Sequence, residues 1–384
     1  MSTQREMIIG YDAKRAVRNM TGLGNYSRFV IDSMTAAYPA NKYLLYTPRF
    51  TPNPRLEPLL ARLSVELRLP ATAFGRKFGS LWRSGLGIVK QLRDDKVTLY
   101  HGLSNELPLN IHRSGIPSVV TIHDVIYRRV PRDYTPIDRY LYDCKYGASA
   151  RNATRVIAIS ECTRRDLVTD YGIPEEKIDV IYQGCDDVFL TPVSPEILQK
   201  VKSKYSLPER FIAAVGTVQS RKNQLLAAKA LAELPPDVKL VIVGRPLRGY
   251  DEVIKKYLAE KGISDRVIWI QGASMAELAA IYTLATISSY PSRYEGFGIP
   301  VIESINCGTP VIAATGSCLE EAGGPGALYV DPDRVDQFID CARQLLDDSD
   351  LRRDMIARGR SYVSRFNNAD FARLTLQTYL KALR

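Results

Sequence analysis

At 384 residues the chain exceeds one typical domain, so two domains are expected. Its apolar fraction of 45% is ordinary for globular cores, and no uncharged run is as long as 18 residues, which excludes a membrane-spanning helix from the expectations. The net charge of +10 is N-terminal: residues 1–155 hold 24 Lys and Arg against 12 Asp and Glu, and the rest holds 28 against 30. That asymmetry calls for an anionic partner of the first half, a membrane surface or a phosphorylated substrate. Nucleic acid is not expected, because no zinc finger, RNA-binding motif or aromatic-interleaved basic repeat occurs.

In chain order, "MSTQREMIIGYD" runs directly into a strand without a signal-peptide apolar region. The six cysteines are scattered with no C-x-x-C, and there are three histidines, so neither structural zinc nor a disulfide framework is expected. A reducing cytosol fits this composition. Strand-like runs follow: "MIIGY", "KYLLYT", "VTLYH", "SVVTIH", "RVIAIS" and "KIDVIYQ", then "FIAAVG", "KLVIVG", "VIWIQG", "ATISSY", "PVIAA" and "ALYV". They lack polar alternation, as parallel strands buried on both faces do. Two groups separated by helical stretches predict an α/β chain of two doubly wound Rossmann-like domains facing a central cleft. The expected boundaries are residues 1–185, a linker region at 186–208 in the Pro-interrupted "GCDDVFLTPVSPEI", a second domain at 209–365, and a C-terminal helix at 366–384 packing back toward the first domain.

Several stretches carry candidate chemistry. "GLGNYS" (22–27) lacks the third glycine of G-x-G-x-x-G, and no acid closes "KYLLYT", which excludes a dinucleotide site. Gly22 and Gly24 open a helix whose start would face a ligand, or form a tight packing turn. In "FGRKFGSLWRSGLGIVKQLR" (74–93), Phe74, Phe78, Leu81 and Trp82 share one helical face, with Arg76, Lys77, Arg83, Lys90 and Arg93 around it. Such a helix either lies on an anionic membrane or packs into the first domain's core. His101, which ends a strand in "YHGLSNELP", is an acceptor-side candidate or a core histidine, and Asn105, Arg128 and Arg129 are further acceptor-side candidates. Arg128 and Arg129 add cations after the strand that ends in His123.

"SRYEGFGIPVIES" (292–304) places Glu295 in a glycine-rich strand-to-helix turn and Glu303 in the first turn of the helix that Pro300 begins. Free N–H groups there suit a phosphate, and Gly296 and Gly298 allow close approach. Acidic residues at a helix start also need no ligand, and spacing alone does not make a glycosidase pair. Arg221 and Lys222 stand near a helix start, where cations are out of place unless a diphosphate explains them. The triplets Asp331-Pro-Asp333 and Asp348-Ser-Asp350 read as turns rather than metal ligands, so no metal or cofactor is expected.

"GTVQSRKN", "QGASMAELAAIY" and "SRYEGFGIPVIESINCGTPVIAA" together resemble the donor half of the group 1 (family 4-like) retaining glycosyltransferases of GT-B fold. "TGLGNYSRFV", "VVTIHDVIY", "VIAISECTRRDL" and "VIYQGCD" resemble that family's N-terminal half, in order. The resemblance covers nearly the whole chain and is mannosyltransferase-like. It implies that Glu303 accepts the donor ribose hydroxyls, while Glu295 with Gly296, Phe297 and Gly298 holds the hexose and phosphates. Arg221 and Lys222 would neutralise the departing diphosphate, with Gly216 beside them. His123 would reach the sugar, Gly22 and Gly24 would close over the diphosphate, and Ser274 and Met275 would meet the base. Many members have an arginine near Thr217 and a lysine farther on, so the adjacent Arg221–Lys222 pair departs from the pattern. The implied activity moves a hexose from a nucleotide-sugar donor, GDP-mannose or a UDP-sugar, to a cell-envelope glycan or lipid-linked acceptor. A GT-B sugar-nucleotide epimerase and a non-catalytic nucleotide-sugar-binding protein are the alternatives. The implied location is cytoplasmic, peripheral on the inner face of the membrane.

Overall fold

The apolar runs assemble into two all-parallel sheets in a computed structural model that describes residues 6–384. Residues 1–5, where the expected first domain begins, lie outside the described residues. The first sheet comprises β1 (Ile8–Asp12), β2 (Lys42–Tyr46), β3 (Val65–Arg68), β4 (Leu99–Gly102), β5 (Ser118–Ile122), β6 (Arg155–Ala158) and β7 (Ile178–Val180). Its order is β3-β2-β1-β4-β5-β6-β7. The second comprises β8 (Phe211–Val215), β9 (Lys239–Val243), β10 (Val267–Ile270), β11 (Ile287–Tyr290), β12 (Val311–Ala314) and β13 (Ala327–Val330), in the order β10-β9-β8-β11-β12-β13. In both, the order reverses between two central strands, β1 and β4 in one and β8 and β11 in the other. Ligands of doubly wound sheets bind at the carboxyl ends of such strands.

β5 and β12 are buried along their whole length, as strands covered on both faces must be. β3 was not among the sequence-derived strands. It is an edge strand whose Glu66 and Arg68 stay half-exposed and pair with each other at 2.6 Å, so it lacks the continuous apolar signature.

The chain divides into two units: Met1–Val125 with Thr135–Gln183 and Asn368–Arg384, and Ile126–Tyr134 with Gly184–Asn367. The linker expected at 186–208 is instead structured. Ser194 caps the helix Pro195–Tyr205, and Val201 and Leu207 are buried in a core of the second unit. The segment Ile126–Tyr134 groups with the second unit, which no sequence signal suggested. The closing helix Asn368–Ala382 belongs to the first unit, where Phe371 meets Phe29 and Tyr26 edge-on and Thr378 donates to Asp179 at 3.0 Å.

Residues 74–93 do not form one amphipathic helix. The chain breaks at Phe78 and again around Gly85, whose φ is +131°. Trp82 turns into the core at 1% exposure, while Phe74, Phe78, Leu81 and Leu86 remain exposed. Arg83 is not a surface cation either, since it pairs with Asp12 at 2.6 Å and also bonds Glu106. Among the described residues no helix is long and apolar enough to cross a membrane.

Candidate active site

The second unit gathers its candidate residues on the loops after β8 and β11, neighbours at the reversal of strand order. After β8, Gly216 takes φ +130° and the chain turns through Ser220–Lys222 into the helix Gln224–Leu231. After β11, the turn ends at Gly298, which caps the helix Ile299–Asn306 with φ +127°. A side chain at Gly298 would lie 2.9 Å from Leu319, so both backbone and packing require glycine.

Main-chain bonds tie the two loops together: Arg293 N–H donates to Arg221 O at 2.8 Å, and the Ser292 hydroxyl to the same oxygen at 3.2 Å. Glu295 Oε1 lies 2.7 Å from Arg221 Nη1 and 2.5 Å from Lys222 Nζ, and accepts from Ser292 Oγ at 2.5 Å. Lys222 also donates to the Tyr290 hydroxyl and sits 4.7 Å from that ring's centre. Burial would raise the Glu295 pKa, but Lys222 first and Arg221 next outweigh it and hold the carboxyl down at about 2. Burial lowers the lysine's pKa, with Glu295 opposing that shift. The triad is an anion flanked by two cations, a surplus of one positive charge suited to a phosphate.

Glu303 is a different carboxyl. It was expected in the helix's first turn, but Gly298 caps the helix at Ile299, so Pro300 is its second residue and Glu303 its fifth. The helix dipole therefore does not account for it. Burial pushes its pKa up to about 8, partly offset by a 3.4 Å hydrogen bond from Tyr282 and reinforced by Asp186. Glu295 is thus held ionised, while burial favours the protonated form of Glu303 at neutral pH. Ser274 caps the helix Met275–Leu284 through a reciprocal capping box with Glu277, so its hydroxyl is committed to the fold and Met275 is the first helical residue.

In the first unit, His123 directly follows β5. Its Nε2–H donates to Leu103 O at 2.9 Å, which leaves Nδ1 as the acceptor nitrogen, and its main-chain N–H donates to Asn105 Oδ1 at 2.7 Å. Burial pushes the imidazole down to about 4, so it is neutral at physiological pH. Asn105, in a left-handed conformation at φ +64°, thus positions His123 through its amide oxygen. Gly24 packs against its own loop, where an added Cβ would lie 1.8 Å from Asn19 O, whereas Gly22 faces open space.

His101 is corrected to a core histidine. Its ring is fully buried, with Nδ1 at 2.7 Å from Tyr379 Oη and Nε2 at 2.9 Å from Thr121 Oγ1. No ring nitrogen is left for an acceptor. Arg128 and Arg129 group with the second unit, whereas His101 and Asn105 group with the first. Both D-x-D triplets serve the backbone: Asp331 Oδ1 accepts from Asp333 N–H at 2.8 Å, and Asp348 caps the helix Ser349–Val363.

Sequence reading missed three supports. Tyr290 and Ser292, five and three positions before Glu295, were visible in the same stretch as short-range polar partners. Cys318, whose thiol donates to Phe297 O at 2.7 Å and pins the turn, carried no local signal.

Residues 197–362 match the family model described as glycosyl transferases group 1, and residues 33–189 match glycosyltransferase family 4. The O-antigen chain mannosyltransferase B of Escherichia coli is 29% identical over 293 residues, 75% of each chain. The MMP alpha-(1->4)-mannosyltransferase of Mycolicibacterium hassiacum is 29% identical over 72% of this chain and 68% of its own. Among solved structures, Anabaena HepE in complex with UDP matches with a TM-score of 0.76 at 17% identity over 98% of this chain and 99% of that one. Sucrose-phosphate synthase of Thermosynechococcus elongatus matches at 0.75 with 20% identity, over 98% and 99%. The two family matches lie in sequence over the two parallel-sheet units, and the second contains the Glu295–Arg221–Lys222 triad, so the chain belongs to the group 1, family 4 glycosyltransferases and has the GT-B fold.

Proposed function

We propose that the protein transfers a hexose, mannose from GDP-mannose in preference to a UDP-sugar, to a cell-envelope glycan or lipid-linked acceptor with retention at the sugar carbon. The observation that carries this reading is the buried triad of Glu295, Arg221 and Lys222 at the strand-order reversal of the second sheet. Transfer breaks the bond from the anomeric carbon to the diphosphate and forms one to an acceptor hydroxyl. Negative charge grows on the leaving group, where preorganised cations act most strongly. Arg221 and Lys222 are already oriented by Glu295, so little reorganisation accompanies that step. Arg221, Lys222 and Ser292 meet Glu295 through Oε1, and Oε2 would be the oxygen that meets sugar hydroxyls. Neutral His123 offers Nδ1 as an acceptor to a further hydroxyl.

The preference for mannose draws on the mannosyltransferases among the relatives, and the UDP option on the UDP held by the structural neighbour. Attachment to the inner membrane face is supported by the basic first half and by exposed apolar residues. These are Phe74, Phe78, Leu81 and Leu86, and a stripe of Ile137, Tyr140, Leu141 and Cys144 along the helix Pro136–Asn152. The test is a thermal-shift and calorimetric screen of GDP, UDP and their sugars, followed by NMR of the glycoside formed. Binding of neither nucleotide refutes the donor reading, and an inverted anomeric product refutes retention.

A further inference from the structure

Beyond the triad, the second unit carries two adjoining cavities that the donor reading does not use. The larger, about 360 Å³, is walled by segments 131–134, 219–221 and 247–253. All three segments group with the second unit. The smaller, about 260 Å³, lies against Lys229, Arg293 and Asp333. Ser220 and Tyr250 line both, so the two lie side by side. The larger falls within the roughly 300–1,000 Å³ of small-ligand sites. Arg221 also lines it, so it opens beside a member of the triad.

The walls are fixed by contacts of their own. Val218 N–H donates to Arg245 O and Leu247 N–H to Val218 O, both at 2.9 Å, which ties the loop after β9 to the loop after β8. Ser220 Oγ donates to Asp133 Oδ1 at 2.5 Å, and the Arg248 guanidinium donates to Asp133 O. Arg248 does so from a left-handed backbone, φ +55°, followed by Gly249 at φ +70°. A non-glycine residue adopts that conformation at a cost, and such strain gathers at ligand sites. In the smaller cavity Arg293 pairs with Asp333 at 2.7 Å.

The lining has the chemistry of a carbohydrate site. Tyr134 and Tyr250, both half-buried, contribute aromatic bodies with polar tips. A pyranose has the matching duality, with C–H faces that pack on rings and a rim of hydroxyls. Arg132, Arg248 and Arg293 supply planar, forked donors, and Asp133 and Asp333 supply acceptors, which suits pairs of vicinal hydroxyls. The bonds among these groups already order them, which lowers the cost of binding. An acyl chain would desolvate the same charges, so a lipid tail does not suit the cavities.

We propose that the two cavities hold sugar residues of the acceptor glycan beyond the one that receives the hexose. The inference rests on the glycosyltransferase reading for the acceptor's class, but the site is testable by binding alone. The protein would then select an oligosaccharide acceptor over a monosaccharide. Mannose residues are the expected occupants, because mannose is the hexose proposed for transfer.

The test titrates the full chain, by calorimetry, with methyl α-mannoside and with α-linked mannotetraose. Wild type should bind the tetraose at least tenfold more tightly. Arg132→Ala with Arg248→Gly removes two guanidinium groups from the larger cavity, and glycine tolerates the left-handed backbone. Arg293→Gln with Asp333→Asn removes an ion pair without stranding one charge. Val253→Trp fills the larger cavity from a helix position that is 48% exposed. Each change should erase the preference for the tetraose while keeping GDP and UDP affinities within twofold of wild type. A nucleotide-binding wild type that shows no tetraose preference overturns the proposal. So does a preference that survives in the folded variants, or a tenfold loss of GDP or UDP affinity in them, which would assign the cavities to the donor. Wild type that binds the tetraose but neither nucleotide would instead sink the donor reading and leave the glycan site standing.

Discussion

Replacing Glu303 by glutamine tests the ribose assignment through protons as well as affinity. Burial holds the folded-state pKa of Glu303 at about 8, against roughly 4.3 for an exposed glutamate. Between those values the native state carries a proton that the unfolded chain has lost, so stability falls as pH rises through the window. At about 1.4 kcal/mol per pH unit, the penalty at pH 7 is on the order of 3–4 kcal/mol. Glutamine cannot ionise and escapes it. Thermal melts of the ligand-free proteins should therefore coincide near pH 4.5, with Glu303→Gln increasingly the more stable up to pH 8.

Nucleotide binding should run the other way. If Glu303 takes the ribose, the diol would donate to the ionised carboxylate, and binding would expel the proton that Glu303 holds at neutral pH. Above pH 7 the nucleotide's own phosphates are already mostly ionised, because their second pKa is about 6. Wild-type affinity should then rise roughly tenfold from pH 7 to pH 9, with close to one proton released at pH 7 and almost none at pH 9. Glu303→Gln should bind about 10- to 150-fold more weakly at pH 9, the equivalent of roughly 1.5–3 kcal/mol for a charged acceptor, and show no such pH dependence. Calorimetry with GDP and UDP in two buffers of different ionisation enthalpy measures both quantities. Wild-type affinity flat across this range with no proton release, or a glutamine variant equal to wild type at pH 9, would refute the reasoning.

Lys222→Ala should lower turnover by about two orders of magnitude, as loss of one preorganised donor does, and EDTA should leave the wild-type rate unchanged. Chelator-sensitive turnover restored by Mn²⁺ would contradict the role given to the cations. Glu295→Gln should reduce turnover of the complete donor while leaving free-nucleotide affinity within about twofold; equal losses in Glu295→Gln and Glu303→Gln would remove the division of labour between them. Because Trp82 is buried, Trp82→Ala should destabilise the fold by about 3–5 kcal/mol, whereas Phe74→Ser with Leu86→Ser should leave the melting temperature nearly unchanged and reduce sedimentation with phosphatidylglycerol vesicles at low salt. Wild type that ignores such vesicles would refute membrane attachment.

What could be read from residues alone follows from the range over which each feature is determined. The parallel strands were legible because burial on both faces writes a continuous apolar run into each, and β3 was not, because an edge strand carries Glu66 and Arg68. Glu295 was legible as a site residue because Gly296, Gly298 and Pro300 mark a strand-to-helix turn in the adjoining sequence. Its pairing with Arg221 was not, since that contact exists only because β8 and β11 are adjacent, and strand order leaves no local trace. The two histidines make the point most sharply. His101 and His123 each end an apolar run in the sequence, and only the family resemblance set His123 apart as the one that reaches the sugar. The difference is Tyr379, 278 positions after His101, whose hydroxyl occupies His101 Nδ1, while Asn105 and Leu103 hold His123 by its main chain and by Nε2 only. Whether a polar side chain is spare for chemistry is thus decided by which distant element returns to satisfy it, and the closing helix of the first unit makes that choice for this pair.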